Sequence, residues 1–495
     1  MIDFAADRYP ENDFLLFKDN GSVANKTYLQ LQAASDAFSR LLENRNMKGA
    51  HVAVVGPTCF EWIVTYFGTV AADSVIIPLA ANETDDMNRQ LCEFGDTDVL
   101  VFDKKHESLC RLLHEKLPRV KLFISMDDAV SADYVESFSS VLADNAGVFY
   151  GEPDPMRFCT LLFTSGTTGF PKGVMLNQHN LVNSAMSVWE YDTAPRVFCC
   201  LPINHAYCFT TNITKIIFRG ATVCVNDNMN NLLNDIRLFQ PQSIVCVPLI
   251  ANKLMGGALR YAKSKADMEE SDAVKEFLGG CGKIVSGGAP LEAAYNARYT
   301  QAGMIVLNGY GMTECSPVIA NNTVTYWKHG SVGKPIPCMQ VKIANGEILA
   351  KGAGVMMGYY KNEAATKEAF TEDGWLHTGD LGYIDEEGFL FITGRCKNLI
   401  LLDNGENVSA EFLEERFANI PFVQEVIAYG ESGMICVEIF PNAEYIRKQG
   451  ITDPEAVMRD ILNTVNENLA SFQRIAKFTL RDTPFDRPRY IPCAF

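Results

Sequence analysis

The feature that most constrains this chain is one long loop between two apolar segments. The run from Leu161 to Leu176 reads LLFTSGTTGFPKGVML. Glycine adopts positive φ and lets backbone N–H groups approach an anion, while hydroxyl groups and lysine donate to phosphate oxygens. An ordinary hairpin turn spans about two to five residues, and this loop is longer. We therefore predict a polyphosphate-binding loop made of Thr164, Ser165, Gly166, Thr167, Thr168, Gly169 and Lys172.

Spacing excludes two better-known nucleotide loops. A Walker A loop requires G-x-x-x-x-G-K-[ST], but Gly169 is followed by Phe170-Pro171-Lys172-Gly173. The dinucleotide fingerprint G-x-G-x-x-G does not occur in this loop. The predicted phosphate loop therefore belongs to another class.

Length and composition predict a large globular protein. With 495 residues, 47% hydrophobic and 21% charged, the chain is long enough for two or three cores. Its net charge of −17 argues against a nucleic-acid partner and against nonspecific binding to anionic membranes. An acidic protein that binds nucleotides must concentrate its basic groups locally, and Lys172 is one such group.

The cysteines predict a reducing environment. There are 15, with no C-x-x-C pair, and many lie inside apolar runs as small core residues do. The amino-terminal run Met1-Ile2-Asp3-Phe4-Ala5-Ala6-Asp7 has no basic segment of the kind that begins a secretory signal. No uncharged apolar stretch reaches the ~20 residues that span a bilayer. We expect a cytoplasmic protein with no integral membrane segment, for which a peripheral membrane association stays open.

Short β-branched runs alternate with helical segments over the first 340 residues. They are apolar on both faces, as strands of a covered parallel sheet are. The runs occupy residues 51–56, 74–79, 98–102, 243–247, 283–286 and 304–307. The pattern predicts an α/β fold with ligands at the carboxyl ends of strands.

The pattern of predicted elements changes from about Val341. Residues 387–394 predict a turn and a strand, residues 423–429 and 434–440 predict two more strands, and Asp453-Pro454-Glu455 opens an amphipathic helix. We expect a boundary near residues 395–398, with one domain at 1–395 and a small α+β domain at 396–495.

Two further motifs follow predicted strands. In the first, Gly288, Ala289 and Pro290 are small enough for a flat base to lie against the backbone, although an ordinary strand-to-helix turn has the same composition. The second motif predicts a nucleotide site, because Tyr310 can stack on a base, Thr313 can reach a phosphate and Glu314 offers a hard oxygen for Mg²⁺. It comprises Asn308, Gly309, Tyr310, Gly311, Met312, Thr313 and Glu314.

These motifs together resemble the adenylate-forming superfamily, which contains acyl-CoA synthetases, adenylation domains of peptide synthetases and firefly luciferase. The 308–314 string matches its G-Y-G-x-T-E motif, and the extension Cys315-Ser316-Pro317-Val318 is most similar to fatty acyl-CoA synthetases. The resemblance implies a large N-terminal domain of two α/β subdomains plus a small β-barrel, followed by a mobile C-terminal lid.

The resemblance also assigns roles to residues near the expected boundary. Asp380 matches the T-G-D aspartate that binds both ribose hydroxyls, and Arg395 matches an arginine that contacts the ribose or phosphates. Ile392 belongs to the same nucleotide-binding set. Lys397 falls at the hinge position, and the G-x-x-V-x-P-x-E segment that closes the thioester-forming site matches Gly405, Glu406 and Asn407 onward, with Ala410 in place of proline.

A segment lining the acyl pocket is matched by Leu201-Pro202-Ile203-Asn204-His205-Ala206. The resemblance places His205 near the incoming carboxylate, and a structural histidine is the alternative. Adenylation domains for α-amino acids carry an aspartate just beyond this point, whereas residues 206–209 have none, which favours another acyl group. Tyr207, Phe209 and Val318 predict an apolar pocket.

The chain departs from the family pattern at its C-terminus. The family ends with a G-K-[IV] element whose lysine contacts the carboxylate and α-phosphate, but the last lysine here is Lys477, and Arg489 or Tyr490 falls at the expected place. Arginine differs from lysine at a point-charge site, and tyrosine offers only a neutral hydroxyl. An arginine substitute, a lysine supplied otherwise, and a chain that binds without efficient turnover all stay open.

The implied activity has two steps and implies ATP, Mg²⁺ and coenzyme A. A carboxylate attacks the α-phosphorus of ATP to give acyl-AMP and pyrophosphate, and a thiol then takes the acyl group and releases AMP. Catalytic roles fall to Lys172, His205, Thr313, Glu314 and Arg489. The alternatives are loading of the phosphopantetheine of a separate acyl carrier protein, a non-catalytic nucleotide or acyl-adenylate binder, and a luciferase-like oxidase.

Overall fold

The computed structural model describes residues 1–19, 21–129, 132–164, 170–188, 194–265, 267–289, 291, 293–402, 407–417, 420–431 and 434–485. They form two compact units, residues 1–341 with 350–376 and residues 342–349 with 377–495. The boundary expected near residue 395 lies inside the second unit, so it stays a prediction about which part of the chain moves. None of the helices described here is long and apolar enough to cross a membrane.

The strands are short and mostly buried on both faces in the first 340 residues. Those that begin before residue 341 are β1 (Asp13–Asp19), β2 (Ser22–Thr27), β3 (His51–Val55), β4 (Val75–Pro78), β5 (Val99–Phe102), β6 (Leu122–Ser125), β7 (Val135–Ser137), β8 (Phe158–Thr164), β9 (Lys172–Asn177), β10 (Arg196–Cys199), β11 (Thr222–Val225), β12 (Ser243–Cys246), β13 (Lys283–Ser286), β14 (Ile305–Gly311), β15 (Val318–Asn321), β16 (Lys334–Pro335) and β17 (Met339–Ala344). Those that follow are β18 (Glu347–Gly352), β19 (Gly358–Tyr359), β20 (Leu376–Ile384), β21 (Leu390–Arg395), β22 (Leu399–Leu401), β23 (Asn407–Ser409), β24 (Val423–Glu431), β25 (Met434–Pro441) and β26 (Ile475–Leu480).

Helices alternate with these strands. They are α1 (Ile2–Arg8), α2 (Tyr28–Asn44), α3 (Phe60–Ala71), α4 (Asp85–Phe94), α5 (Glu107–Lys116), α6 (Phe138–Asp144), α7 (Gln178–Val188), α8 (Ala206–Cys208), α9 (Lys215–Arg219), α10 (Leu232–Phe239), α11 (Pro248–Lys263), α12 (Glu270–Phe277), α13 (Ala293–Gln301), α14 (Glu363–Ala369), α15 (Ala410–Glu414), α16 (Ala443–Gln449) and α17 (Pro454–Glu467). One π-helical stretch, Phe209–Thr214, joins α8 to α9.

The first unit contains an eight-stranded sheet in the order β19-β9-β8-β4-β3-β5-β6-β7. Strands β4, β3, β5, β6 and β7 run parallel, and β4 also runs parallel to β8. The pairs β8–β9 and β19–β9 are antiparallel. The strands predicted at 51–56, 74–79 and 98–102 are confirmed. Helix α3 is mostly apolar, and its residues 62–70 are all buried.

A nine-stranded sheet, also in the first unit, has the order β16-β15-β14-β13-β12-β10-β11-β1-β2. Strands β11, β10, β12, β13 and β14 are parallel, which confirms the runs predicted near 243, 283 and 304. The N-terminal strand β1 pairs in parallel with β11, far away in sequence. At the end of its hairpin partner β2, Thr27 and Gln30 form a capping box that starts α2.

The second unit is built around two further sheets. Strands β17, β18, β20 and β21 form a four-stranded sheet where the resemblance implied a small β-barrel. Strands β24, β25 and β26 form a three-stranded sheet over an apolar cluster that includes Val408, Leu413 and Phe417. Asp453 caps α17 and Pro454 is its first residue, as predicted. All the cysteines described are free and most are buried.

Candidate functional site

The predicted phosphate loop connects the two strands of a hairpin. Strands β8 and β9 are antiparallel with Thr164 opposite Lys172, and the Thr164 hydroxyl donates to the Lys172 carbonyl at 3.4 Å. The predicted loop residues Ser165, Gly166, Thr167, Thr168 and Gly169 lie outside the described part of the chain. The connection is thus a hairpin in topology, with more residues than an ordinary turn has, and Lys172 stands at its closing end.

An aromatic contact anchors the residue that precedes this closing end. Phe170 is 43% exposed, and its ring lies 5.4 Å from the ring of Phe94. Phe94 also contacts Phe163 and Tyr360. The ring of Phe170 therefore packs on the body of the first unit although much of its surface is open.

The side chain of Lys172 lies over a tyrosine ring. Strand β19 adds to the sheet beside β9, with Tyr359 opposite Val174. This pairing places the Lys172 Nζ 4.7 Å from the centre of the Tyr359 ring. A cation over an aromatic face is attracted by the negative face of the ring. Sequence analysis did not identify Tyr359, because its partner strand is almost two hundred residues away.

The same tyrosine holds the predicted metal ligand. The Tyr359 hydroxyl donates to the Glu314 Oε1 at 2.9 Å, and both residues are only 8% exposed. Burial and the neighbouring Glu314 carboxylate raise the pKa of Tyr359 well above its usual value. The hydroxyl therefore keeps its proton and acts as the donor at neutral pH. Lys172, Tyr359 and Glu314 form a chain of contacts on three separate elements.

Backbone packing fixes the position of Glu314. The residue lies in a 3-10 turn, Thr313–Cys315, directly after β14, and its carbonyl accepts from the Met356 N–H at 2.8 Å. A Cβ on Gly311 would lie 2.7 Å from the Pro317 carbonyl carbon. The chain can turn this sharply because residue 311 has no side chain.

Strand ends beside this turn carry the other predicted base-binding residues. Ser286 lies opposite Asn308 in the β13–β14 register, and Gly288 has a φ of +84°. The buried Ser286 Oγ and Asn308 Oδ1 make no hydrogen bond within the described residues. A Cβ on Gly287 would lie 2.8 Å from the Tyr207 ring. Pro290 lies outside the described residues.

Two tyrosines near these strand ends, Tyr310 and Tyr207, differ in exposure. Tyr310, predicted to stack on a base, lies opposite Ala320 in the β14–β15 pair and is 8% exposed. Tyr207 is half-buried, and its hydroxyl donates to the Val285 carbonyl at 3.3 Å. The structure therefore places Tyr207 directly against the strand end at Gly287.

His205 lies at the start of helix α8 and is exposed. Protein atoms that enclose part of the imidazole lower its pKa through desolvation. A neutral imidazole can accept a proton or a hydrogen bond near neutral pH. The predicted proximity of His205 to a carboxylate substrate stays a prediction.

An aromatic cluster fills the apolar region next to this helix. The Phe209 ring lies 3.9 Å from the Tyr66 ring and 5.9 Å from the Trp62 ring. The open space among these side chains and Leu162 and Leu181 is about 10 Å³, about what one water molecule needs. Of the three residues predicted to form an apolar pocket, Phe209 lines this space, and the pocket itself stays a prediction. Val318 is also buried, at 7% exposure.

In the second unit, Asp380 and Arg395 face each other across a hairpin. They are register partners in the β20–β21 pair, and the Arg395 Nε lies 3.0 Å from the Asp380 Oδ1. The aspartate side chain is 10% exposed and the arginine 66%. The two residues predicted to contact the nucleotide therefore form an ion pair with each other, between a buried carboxylate and an exposed guanidinium. Ile392, opposite Gly382, lies in the same hairpin.

Glu347 supports the T-G-D turn and was missed by sequence analysis. Its Oε1 accepts from the Gly379 N–H at 3.0 Å, and its Oε2 lies 2.9 Å from the His377 Nδ1. The Thr378 hydroxyl donates to the Ile348 carbonyl at 2.7 Å and accepts from the Asp380 N–H. These bonds orient Asp380 from the adjacent strand.

Lys397, the predicted hinge residue, is followed by a pair of short strands, the second of which begins at Asn407 of the predicted thioester segment. Lys397 is exposed in a 3-10 turn, Cys396–Asn398, and the short strands β22 and β23 that follow pair with each other. Asn407 is the first residue of β23. Gly405, Glu406 and Arg489 lie outside the described residues. No group of three or more metal-ligating side chains occurs among those that are described.

Comparison with known proteins places these motifs in context. The model of the AMP-binding enzyme family matches residues 2–360. The chain is 30% identical over 436 residues to a long-chain-fatty-acid–CoA ligase of Mycobacterium bovis, covering 78% of this chain and 71% of the relative. It is 27% identical over 479 residues to a long-chain-fatty-acid–CoA ligase of Escherichia coli, covering 87% and 82%.

Solved structures share the fold. O-succinylbenzoate coenzyme A synthetase from Bacillus subtilis in complex with AMP superposes with a TM-score of 0.78 at 24% identity, covering 97% of this chain and 94% of that one. An anthranilate CoA ligase in complex with anthranoyl-AMP gives 0.81 at 20% identity, covering 97% and 93%. These likenesses confirm the predicted fold class.

Proposed function

Because this chain belongs to the AMP-binding enzyme family, we propose that it activates a carboxylic acid with ATP and transfers the acyl group to coenzyme A. In the first step a carboxylate oxygen attacks the α-phosphorus, and the bond to pyrophosphate breaks. In the second step the coenzyme A sulfur attacks the acyl carbon, its proton passes to solvent, and AMP leaves. The observation that carries the proposal is the contact chain Lys172–Tyr359–Glu314 at the foot of the phosphate loop.

Lys172 supplies positive charge where the phosphates bind. It stands at the closing end of the hairpin, and its Nζ lies over the Tyr359 ring. A cation–π contact is worth about 0.5–2 kcal/mol, less than a charge-assisted bond to phosphate returns in a desolvated site. Lys172 therefore leaves the ring for the phosphate without a large cost, and preorganised charge of this kind is a major source of catalysis.

The residues present fit a magnesium ion held together with substrate phosphates. Mg²⁺ is usually bound by one or two carboxylates, several waters and phosphate oxygens rather than by an all-protein cage. Glu314 is one such carboxylate, buried and oriented by the Tyr359 hydroxyl. When bound, Mg²⁺ neutralises charge on the phosphates. Glu314 holds it, and Tyr359 sets the direction of the carboxylate.

Asp380 binds the ribose of the nucleotide, with Arg395 beside it. A carboxylate accepts two hydrogen bonds and so suits the two hydroxyls of a ribose. The Asp380 carboxylate is held by its ion pair and by the backbone turn that Glu347 orients. Asn308 and Ser286 offer buried acceptors at the end of the large sheet, which suits the amino group of an adenine base.

The substrate is a fatty acid or another apolar acid. Two lines support this class: the relatives from M. bovis and E. coli are long-chain-fatty-acid–CoA ligases, and the segment after His205 offers no carboxylate to hold an amine. The aromatic cluster of Trp62, Tyr66 and Phe209 supplies apolar surface next to that segment. These side chains must move apart before a chain enters, because the space among them is about 10 Å³.

One observation favours a second candidate, a nucleotide or acyl-adenylate binder with little turnover. Arg489 or Tyr490 falls at the place where the family has its lysine, and the Nζ of Lys477, on β26, lies 3.3 Å from the Glu431 carboxylate. A further alternative is that the same first step is followed by transfer of the acyl group to the phosphopantetheine thiol of a separate carrier protein. We also propose that the protein is located in the cytoplasm.

One experiment separates these candidates. The full chain is given ATP, Mg²⁺ and a panel of fatty and aryl acids, with and without coenzyme A, and pyrophosphate, acyl-AMP and acyl-CoA are measured. We expect pyrophosphate and acyl-CoA with an apolar acid. Acyl-AMP without acyl-CoA would point to a carrier protein, and ATP binding without pyrophosphate would favour the binder.

A further inference from the structure

Strand β21 touches the predicted thioester segment at a glycine. Gly394 is buried, and a Cβ built on it would lie 2.9 Å from the Ser409 Cβ, with the Ser409 Oγ closer still and the Glu411 Oε2 at 3.5 Å. Real Cβ atoms do not approach other carbons this closely. Only a glycine at position 394 therefore allows β21 and residues 409–411 to pack as they do.

Ser409 cannot turn away without losing other bonds. Its Oγ accepts from the Phe412 N–H at 3.3 Å and so caps helix α15. The same hydroxyl donates to the Glu411 Oε2 at 2.9 Å. The neighbouring residues Val408 and Ala410 are buried in the apolar cluster of the second unit. The side chain facing Gly394 is thus fixed by a helix cap, a carboxylate and a packed core.

Glu411 ties this segment to the residue after the predicted hinge. Its Oε1 accepts from the Asn398 Nδ2 while its Oε2 accepts from Ser409. Asn398 immediately follows Lys397. Because Asn398 and Ser409 share one carboxylate, the chain from residue 398 onward moves with the segment that follows it. Rotation about Lys397 is then confined to residues on the N-terminal side of Asn398.

Gly394 and Ser409 lie on opposite sides of that hinge. Rotation about Lys397 must separate them, because Gly394 belongs to β21 and Ser409 to the segment that turns. The close contact therefore exists in one orientation and is lost in the other. The contact therefore stabilises only the orientation in which it exists. A contact can shift an equilibrium between two orientations only if it differs between them.

We propose that Gly394 is a positioning residue for the two-step reaction: its bare Cα lets β21 rest on Ser409 and Glu411 and stabilises one of the two orientations about Lys397. The inference rests on the proposed function, since two orientations are needed only if adenylation and thioester formation use different faces of the lid. Glu411 is the second positioning residue, because it holds the Ser409 hydroxyl in the place that Gly394 accommodates.

The test variant is Gly394→Ala in the full chain. The added methyl group collides with Ser409 in the observed orientation and not after rotation, so it favours the rotated state. Adenylation is measured as single-turnover dodecanoyl-AMP formation from dodecanoate and ATP, and thioester formation as dodecanoyl-CoA formation from synthetic dodecanoyl-AMP. We expect the ratio of the two rates to change at least tenfold, which corresponds to about 1.4 kcal/mol.

Two further variants distinguish positioning from simple damage. Ser409→Gly removes the colliding atoms, and glycine is itself a tolerated helix N-cap, so Gly394→Ala/Ser409→Gly should restore the wild-type ratio. Gly388→Ala is the matched control, because its φ of +85° strains an alanine as the φ of +156° at position 394 does, while a Cβ on Gly388 meets nothing within 4 Å. An equal fall of both rates, an unchanged ratio, or a changed ratio that Ser409→Gly does not restore would overturn the inference.

Limited trypsin digestion gives a readout that needs no activity. Arg395 and Lys397 are exposed cleavage sites next to the contact, so loss of the contact should speed cleavage there in Gly394→Ala and not in the rescued variant. If the wild type makes no acyl-AMP, the proposed function fails, and the digestion pattern alone decides the inference. Equal cleavage of wild type and Gly394→Ala then overturns it.

Discussion

Tyr359→Phe tests the central contact chain of the candidate site. The substitution keeps the ring beneath Lys172 and removes only the hydroxyl that donates to Glu314 at 2.9 Å. The carboxylate is 8% exposed, so water replaces the lost donor poorly. Hydrogen bonds to charged groups contribute about 1.5–3 kcal/mol. We expect the first unit to lose stability within that range.

The larger expected effect is on magnesium. Without the Tyr359 hydroxyl, the Glu314 carboxylate is no longer held in one direction. Removal of a group that orients a metal ligand typically costs 10–100-fold in metal affinity. The Mg²⁺ concentration that half-saturates ATP binding should therefore rise about tenfold or more in Tyr359→Phe, measured by calorimetric titration of ATP at a series of Mg²⁺ concentrations.

The neighbouring tyrosine supplies the control. The Tyr360 hydroxyl donates to Asp96 at 2.7 Å, and the Asp96 side chain is 28% exposed. Tyr360→Phe removes the same type of bond from a carboxylate that water reaches, at a place without Lys172 or Glu314. We expect a smaller loss of stability and an unchanged Mg²⁺ requirement. Identical behaviour of the two variants would refute the role assigned to Tyr359.

Three other perturbations have defined outcomes. Lys172→Ala should lower the rate of pyrophosphate release about 10²-fold, the typical loss for one preorganised charge-stabilising group, with little change in thermal midpoint; an unaltered rate would remove Lys172 from the site. Asp380→Asn should weaken ATP binding by calorimetry about tenfold while stability changes by less than about 1 kcal/mol, because its partner Arg395 is mostly exposed; unchanged ATP affinity would contradict the ribose assignment. The Asp103 carboxylate beside His106 raises the pKa of that imidazole, whose Nε2 also donates to the Ala81 carbonyl at 3.0 Å. The charged imidazole therefore stabilises the fold fully below pH 6.5, and this contribution is lost as pH rises through the raised pKa. The stability difference between wild type and His106→Gln in urea should be larger at pH 5.5 than at pH 8.5, and an equal or reversed difference would refute it.

The fold was largely predictable because its strands carry an unambiguous signal. Runs such as residues 51–55 and 243–246 are apolar on both faces, which only a sheet covered on both sides requires. Asp453 and Pro454 likewise predicted the start of α17, because a capping side chain and a proline at the first helical position act within one helical turn. Signals of this kind depend on neighbours in sequence, and the structure confirms them.

The missed residues depend on long-range pairing. Tyr359 reaches Lys172 because the two-residue strand β19 adds to β9, and such a short strand has no periodicity. Glu347, on β18, supports Gly379 on the neighbouring strand β20, which is about thirty residues away in sequence. The rings that pack against Phe209 belong to Trp62 and Tyr66, from a distant part of the chain, and they leave an open space of about 10 Å³. Local sequence does not contain these distances.

The site of attack on ATP is the most direct test of the account. The full chain is incubated with dodecanoate labelled with ¹⁸O in its carboxyl group, ATP, Mg²⁺ and coenzyme A, and the released nucleotide is analysed by mass spectrometry. Attack of the carboxylate on the α-phosphorus transfers one labelled oxygen to AMP, with unlabelled pyrophosphate. ADP with label in inorganic phosphate, or AMP without label, would contradict an acyl-adenylate intermediate and with it the proposed function.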